Sequence, residues 1–337
     1  MAIMNETLPT GATPVSQNNA PEIHPRSRLA SRRFATRTAY VVGSLLTLLA
    51  IYYILQSMHG NMTELGNYSF STVQVHWLIL AALTYGVSLI TTAMAWPTIL
   101  RSSGIMINWK VALSIGVAAQ FGKYLPGNIA HYLGRAAIAK NYSISLTDST
   151  RSTLLEFVSA LLAAGLISLV AILAMPKLYM DIITPLPALL SGLPYEAGLA
   201  ALILMLLAGF AVVLTKADGQ KPSNRFRLTA VAWLIGSFLL AGCSLFLVLI
   251  AFNINAPSNI ISIIFIYALA WLGGFLVPGA PAGIGVREVI LLALLTPYCG
   301  PLVAIIVSLA HRLLSTIVDA MAAAIGAFLL FSWRTRS

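Results

Sequence analysis

Two stretches of the chain place cationic residues beside a Pro-Gly break in strongly apolar sequence. Residues 278–288 form one such break, which ends in the adjacent charges Arg287 and Glu288. Its glycines are Gly279, Gly283 and Gly285. Irregular backbone at membrane depth is tolerated only inside protein or beside a water-filled cavity, since lipid offers no hydrogen bonds. A helix that begins at this break presents free N–H groups and a positive dipole end, which favours the binding of an anion, phosphate above all.

Residues 126–135 repeat the pattern 152 residues earlier. Pro126 and Gly127 begin this copy, Arg135 lies nine residues after the proline, and Lys123 comes just before the break. We therefore predict an internal duplication in which Arg135 occupies the place of Arg287. Two cationic helix breaks that face a shared cavity would suit an anionic ligand.

Polar residues also follow one face of the last apolar run. They are spaced by four, three and four positions, with His311 beside them: Ser308, Arg312, Ser315 and Asp319. Such a face must point toward the interior of a helix bundle. Arg312 and Asp319 are two helical turns apart, so we expect each to have a partner elsewhere in the chain.

Charged residues within a bilayer cost about 2.5–3.5 kcal/mol each on insertion scales and are functional hypotheses by default. Glu156 is a candidate partner for Arg135 or Lys123. Proton coupling through His311, Asp319 or Glu156 is one hypothesis, and we favour the alternative of buried structural ion pairs. For Arg287 the alternative to anion binding is neutralisation by Glu288 or Asp319, which would only pin the break.

The composition is that of a polytopic membrane protein. Of the 337 residues, 58% are hydrophobic and 9% are charged, against roughly 25% charged in a soluble domain. The formal net charge of +10 fits the positive-inside rule better than a nucleic-acid-binding face. The five histidines and two cysteines have no metal-ligand spacing, so the sequence predicts no metal site and no cofactor.

Six apolar runs approach the roughly 20 residues that a transmembrane helix needs. They are residues 38–58, 75–100, 152–175, 197–214, 229–252 and 303–331. Shorter arms meet at the Pro-Gly breaks: 109–122 with 129–140, and 260–277 with 284–296. These arms are short for crossing a membrane, so each pair is predicted to form a re-entrant helical hairpin. The fold class is an all-α polytopic membrane protein.

The placement of Lys and Arg predicts the topology. With a cytoplasmic N-terminus, the outside loops, which include 176–196 and 297–302, contain a single basic residue, Lys177. Each half then crosses the membrane three times, so the two halves are inverted repeats. The expected order is a disordered basic cytoplasmic tail, a first repeat, an extracytoplasmic loop, a second repeat and a cytoplasmic tail: 1–37, 38–175, 176–196, 197–331 and 332–337. We expect an integral protein of the plasma (inner) membrane with both termini in the cytoplasm.

The residues around both breaks resemble a known family. Gly-Lys-Tyr-Leu-Pro-Gly at 122–127 with Gly134-Arg135, and the run 281–288, are similar to the lysylphosphatidylglycerol synthase transmembrane region, also described as the flippase-like membrane domain family. The likeness covers about residues 38–331. Ala282 stands where the family commonly has the first Gly of Gly-Gly-x-Gly-x-Arg-Glu. No soluble aminoacyl-transferase domain follows Arg336, so the resemblance implies the translocating half without the synthase half.

The combined hypothesis is a lipid translocase and not an enzyme. It would move an anionic, phosphate-bearing lipid or a polyprenyl-phosphate-linked sugar between leaflets. Two alternatives stay open: an integral membrane lipid-modifying enzyme or glycosyltransferase, and a non-catalytic scaffold for a partner synthase. The predicted partners are membrane lipids with an anionic head group and no nucleic acid, and a homo-oligomer or a partner lipid-synthesis enzyme stays open as well.

Overall fold

The computed structural model describes residues 45, 47–49, 51–60, 73–124, 130–174, 195–215, 223–254, 260–277 and 281–334. All of them belong to one compact unit, Ala39–Ser337. Within these ranges the protein is helical and contains no strand. The predicted disordered tail, the first residues of both Pro-Gly breaks (126–129 and 278–280) and most of the predicted loop 176–196 lie outside the described residues.

The described helices follow the apolar runs closely. In chain order they are α1 (residues 51–60), α2 (Val75–Ser102), α3 (Trp109–Ala119, continued by a 3-10 turn, Gln120–Tyr124), α4 (Ala130–Lys140), α5 (Leu146–Ala174), α6 (Tyr195–Leu214), α7 (Asn224–Ala251), α8 (Ile260–Leu276) and α9 (Val286–Arg334). Five of them are long and apolar enough to cross a membrane: α2, α5, α6, α7 and α9. The loop predicted to end at residue 196 ends by Tyr195, where α6 begins.

Helices α2 and α7 pack against each other in antiparallel orientation. The backbone N–H of Gln74 donates to the carbonyl of Ala251 at 2.9 Å, and the Ser244 hydroxyl donates to the carbonyl of Ala81 at 2.9 Å. From Gln74 to Ala81 the chain advances by seven residues, whereas from Ala251 to Ser244, their respective partners, it goes back by seven. These two helices contribute many residues to the largest buried apolar cluster, together with α8.

Helix α9 folds back on itself at Gly300, whose φ of 75° and ψ of 163° are not helical. Glu288 and Arg312 each lie 12 residues from Gly300, yet their side chains approach to 3.4 Å. A straight helix would separate them by about 36 Å, because it rises 1.5 Å per residue. The arm before Gly300 and the segment after it are therefore antiparallel. The reversal lies within the predicted loop 297–302, but it involves one non-helical residue in an otherwise helical stretch.

Large apolar side chains cover the outside of the helices. Leu83, Leu204 and Phe331 are 63%, 66% and 68% exposed. Only 11% of the most apolar window of α6 is buried within the protein. Apolar surface on this scale is unfavourable in water and is favourable against lipid tails. The chain is an integral membrane protein.

Candidate functional site

The second Pro-Gly break ends just before α9 in a short segment in which three residues have left-handed backbone conformation. Ala282, Gly283 and Gly285 have φ values of 49°, 70° and 85°. At Gly283 a Cβ atom would lie 2.9 Å from the Cα of Gly274 in α8, so only glycine fits this close approach. The Glu288 carboxylate accepts a hydrogen bond from the Gly285 N–H at 2.6 Å. That bond caps the start of α9 and places Arg287 in its first turn.

Ala282 occupies a backbone conformation that glycine adopts without strain. The left-handed region costs a residue with a Cβ roughly 1–2 kcal/mol, partly offset by the entropy that glycine loses on folding. We expect Ala282→Gly to raise the free energy of unfolding by about 0.5–1 kcal/mol. Thermal unfolding in detergent measures this effect. Ala208→Gly on the exposed face of α6 is the control with opposite sign, and destabilisation by both changes would contradict the strain argument.

Arg135 does not occupy the local position of Arg287. It is the sixth residue of α4 as described, whereas Arg287 is the second residue of α9. The expected equivalence is therefore wrong for position within the helix. The physical reason lies in the glycines: the second copy has Gly283 and Gly285 in left-handed conformation, which delay the helix start. The first copy has non-glycine residues at 129–133, and those described are already helical from 130.

Arg135 and Glu156 form a buried ion pair between α4 and α5. The Arg135 Nη2 atom lies 2.5 Å from Glu156 Oε2 and 3.0 Å from Thr153 Oγ1. The guanidinium also sits 4.8 Å from the ring centroid of Trp96 on α2. Glu156 is thus the partner that the sequence proposed for Arg135, and the pair joins the first Pro-Gly region to two long helices.

Lys123 and Asp319 form a second ion pair, between the 3-10 turn and α9. The Lys123 Nζ lies 2.7 Å from Asp319 Oδ2, and the Tyr124 hydroxyl donates to the same oxygen at 2.5 Å. The Tyr85 hydroxyl donates to Oδ1 at 3.4 Å. Asp319 is completely buried, and three groups from two other elements neutralise or hydrogen-bond its carboxylate.

Arg312 and Glu288 form the third pair, which is looser than the other two. Arg312 Nε lies 3.4 Å from Glu288 Oε1 without a hydrogen bond, and Arg312 Nη1 donates to the carbonyl of Ala282 at 3.3 Å. As the sequence predicted, Arg312 and Asp319 have separate partners in distant parts of the chain. Arg312 also fixes the left-handed segment that precedes Arg287.

Arg287 is left without a carboxylate among the described residues. Its side chain is buried, its guanidinium lies 4.4 Å from the ring centroid of Tyr267, and its Nη2 atom has no hydrogen-bond partner there. Neither Glu288 nor Asp319 forms an ion pair with it within 4.0 Å, and each of these carboxylates pairs with another cation.

A cavity of about 170 Å³ is lined by four cations and by Glu156. The cations are Lys123, Arg135, Arg287 and Arg312. Aromatic residues that sequence reasoning did not single out share this lining: Tyr85, Tyr124, Tyr132, Phe157, Phe238, Tyr267, Trp271 and Phe275. Three of them recur at intervals of four on α8, a spacing that could have revealed them in the sequence.

The remaining predicted site residues differ in their location relative to the cavity. His311 is buried and makes edge-to-face ring contacts with Tyr85 and Tyr267 at 6.0 and 5.7 Å between centroids. Gly283 lines the cavity, whereas Gly285 does not. Gly127 and Gly279 lie outside the described residues. The structure therefore brings Lys123, Arg135, Glu156, Arg287 and Arg312 to one cavity, with Glu288, His311 and Asp319 in contact with its lining residues.

Comparison with known proteins gives one family. The model of the lysylphosphatidylglycerol synthase TM region matches residues 40–323, which include every residue of the cavity described above. No match is found among curated proteins.

Proposed function

Since the chain belongs to the family of the lysylphosphatidylglycerol synthase TM region, we propose that it moves a phosphate-bearing lipid between the leaflets of the membrane. The phosphate would bind in the cavity at Arg287 while the acyl or prenyl tails stay in lipid. The family and the apolar helices support a lipid-related role in a membrane. The transport step and the plasma membrane as its location are our proposal.

The observation that carries the proposal is a buried cation without an ion-pair partner among the described residues. Arg287 is 9% exposed, and its Nη2 atom faces no hydrogen-bond acceptor. An uncompensated buried charge costs several kcal/mol. An arginine fork is well matched to phosphate oxygens and can bind them through two parallel hydrogen bonds. A bound anion would therefore supply the ion-pair partner that Arg287 lacks among the described residues.

An inverted repeat would give this site access to both leaflets. The proposal is supported by the two Pro-Gly breaks at an offset of 152 residues. The antiparallel packing of α2 and α7 also supports it, because helices at equivalent positions of inverted repeats run in opposite directions. Each break would belong to a re-entrant hairpin, and the termini would lie in the cytoplasm as the distribution of Lys and Arg indicates.

Arg287→Met separates a transport role from a structural one. The change removes the charge and keeps an unbranched, flexible side chain. If Arg287 binds substrate, translocation should fall at least about tenfold, since a charge-assisted hydrogen bond contributes roughly 1.5–3 kcal/mol. The melting temperature should stay the same or rise, because an uncompensated buried charge is removed. If Arg287 only pins the break, the melting temperature should fall.

The measurement is movement of fluorescent phospholipids and polyprenyl-phosphate sugars across liposomes that contain the purified full chain. Arg151→Met is the matched control, since Arg151 is exposed on α5 and does not line the cavity. Movement of one lipid class that Arg287→Met abolishes and Arg151→Met preserves would support the proposal. Absence of movement for every lipid with the wild-type chain would contradict it and favour an enzyme or a scaffold.

A further inference from the structure

The charges around the cavity limit the charge of the ligand. Four cations line it, and their ion pairs contain three carboxylates, which leaves one positive charge among the described residues. A single negative charge on the ligand would make this cluster neutral. A phosphodiester carries one negative charge at neutral pH, whereas a pyrophosphate linkage carries two. The second charge would lack a counter-charge in a site where desolvation makes it costly.

The carboxylates also limit which charged groups the lipid head group can contain besides the phosphate. Glu156, Glu288 and Asp319 are 6%, 5% and 0% exposed, and each lies within 4 Å of its own Lys or Arg. An ammonium group on the ligand would therefore find no free carboxylate among the described lining residues. It would also approach several cations. The part of the head group beyond the phosphate is accordingly expected to be uncharged.

The neutral part of the lining suits a ligand with many hydroxyls. Ser88, Thr92 and Ser237 donate their hydroxyl hydrogens to carbonyls of their own helices, which leaves oxygen lone pairs to accept from a ligand. Gln120 adds an amide that donates and accepts. A polyol that donates hydrogen bonds matches these acceptors.

A row of aromatic rings also lines the cavity. Trp271 and Phe275 are stacked with centroids 4.9 Å apart, and Phe157 and Tyr132 extend the row. The C–H bonds on one face of a pyranose ring are apolar and weakly positive, so they pack well against the negative face of an aromatic ring. Linear glycerol head groups present no such flat apolar face.

Resting on the proposed function, we propose that the transported lipid carries an uncharged sugar joined through a single phosphodiester. Arg287 would bind the phosphate, and the row from Tyr132 to Trp271 with the nearby hydroxyls would hold the sugar. The site would reject head groups with an ammonium group, including lysyl esters of phosphatidylglycerol, and sugars joined through pyrophosphate.

The proposal is tested by comparing the rates at which four matched lipids move in the liposome assay. The four fluorescent probes are a polyprenyl-phosphate hexose, the same hexose on a polyprenyl pyrophosphate, phosphatidylglycerol and lysylphosphatidylglycerol. We expect the phosphodiester hexose to move at least tenfold faster than each of the others. Equal or faster movement of any one of them would overturn the inference, while Arg287-dependent movement would still support the proposed function. If no probe moves faster than in protein-free liposomes, the proposed function fails with it.

Two variants of Ser237 provide an independent test of charge selection. Ser237→Asp places a free carboxylate on the cavity wall, and Ser237→Asn is its uncharged counterpart. The Asp variant should raise the movement of lysylphosphatidylglycerol relative to the phosphodiester hexose at least tenfold, and the Asn variant should not. Trp271→Leu should slow the hexose lipid and leave phosphatidylglycerol unchanged. Failure of both shifts would mean that neither charge balance nor the aromatic row selects the head group.

Discussion

Replacing Glu156 by Gln is expected to lower the free energy of unfolding by about 3–5 kcal/mol. The side chain keeps its shape, so no cavity forms, but Arg135 loses its counter-charge. Arg135 is 5% exposed, and the Thr153 hydroxyl and Trp96 ring beside it carry no net charge. Removing one partner of a buried ion pair is more harmful than removing both, because the remaining charge stays desolvated.

Thermal unfolding of the purified protein in detergent checks this expectation. Glu196→Gln is the control, because Glu196 is exposed in the first turn of α6. The double variant Arg135→Gln with Glu156→Gln should recover much of the lost stability. A double variant no more stable than Glu156→Gln alone would show that the uncompensated charge is not the cause.

The helices were predictable because apolar content and length define spans in lipid. Predicted and observed bounds of α2 begin at the same residue and end two residues apart. The reversal at Gly300 was predicted as a loop, 297–302, between two apolar stretches, whereas Pro297 and Pro301 both lie in helical structure. Pro301 is instead accommodated at the start of the second segment, where its missing N–H is not needed. Gly300 supplies the left-handed residue that ends the first segment.

The partners of the charged residues were only partly predictable. Helical spacing showed that Arg312 and Asp319 could not pair with each other, and that conclusion depends on one helix alone. The actual partner of Arg312 is Glu288, which lies in the arm of α9 before Gly300. The actual partner of Asp319 is Lys123, which lies in the other half of the chain. Such contacts depend on how helices pack, which local periodicity does not determine. Arg287 was predicted to bind an anion from its place at a helix start, but its lack of an ion-pair partner depends on packing that places Glu288 beside Arg312 and Asp319 beside Lys123.

Gly242→Ala is expected to destabilise the protein by about 3 kcal/mol, at the upper end of the range for overpacking. A Cβ at this position would lie 2.6 Å from the Cα of Ile264 and 3.0 Å from its Cβ. The obstacle is backbone and cannot rotate away, so α7 and α8 would have to separate. Small residues at helix contacts allow such close approach in membranes, where packing rather than hydrophobic burial holds helices together.

Gly236→Ala, in the same helix, provides the matched control for this prediction. No atom lies within 4 Å of a Cβ built there. The change should therefore stabilise the helix by up to about 1 kcal/mol, because alanine loses less conformational entropy than glycine on folding. Opposite signs in thermal unfolding would assign the effect to the contact with Ile264. Equal effects of Gly242→Ala and Gly236→Ala on stability would contradict this assignment. Because α8 carries Tyr267 and Trp271 into the cavity, Gly242→Ala should also slow lipid movement, whereas Gly236→Ala should not.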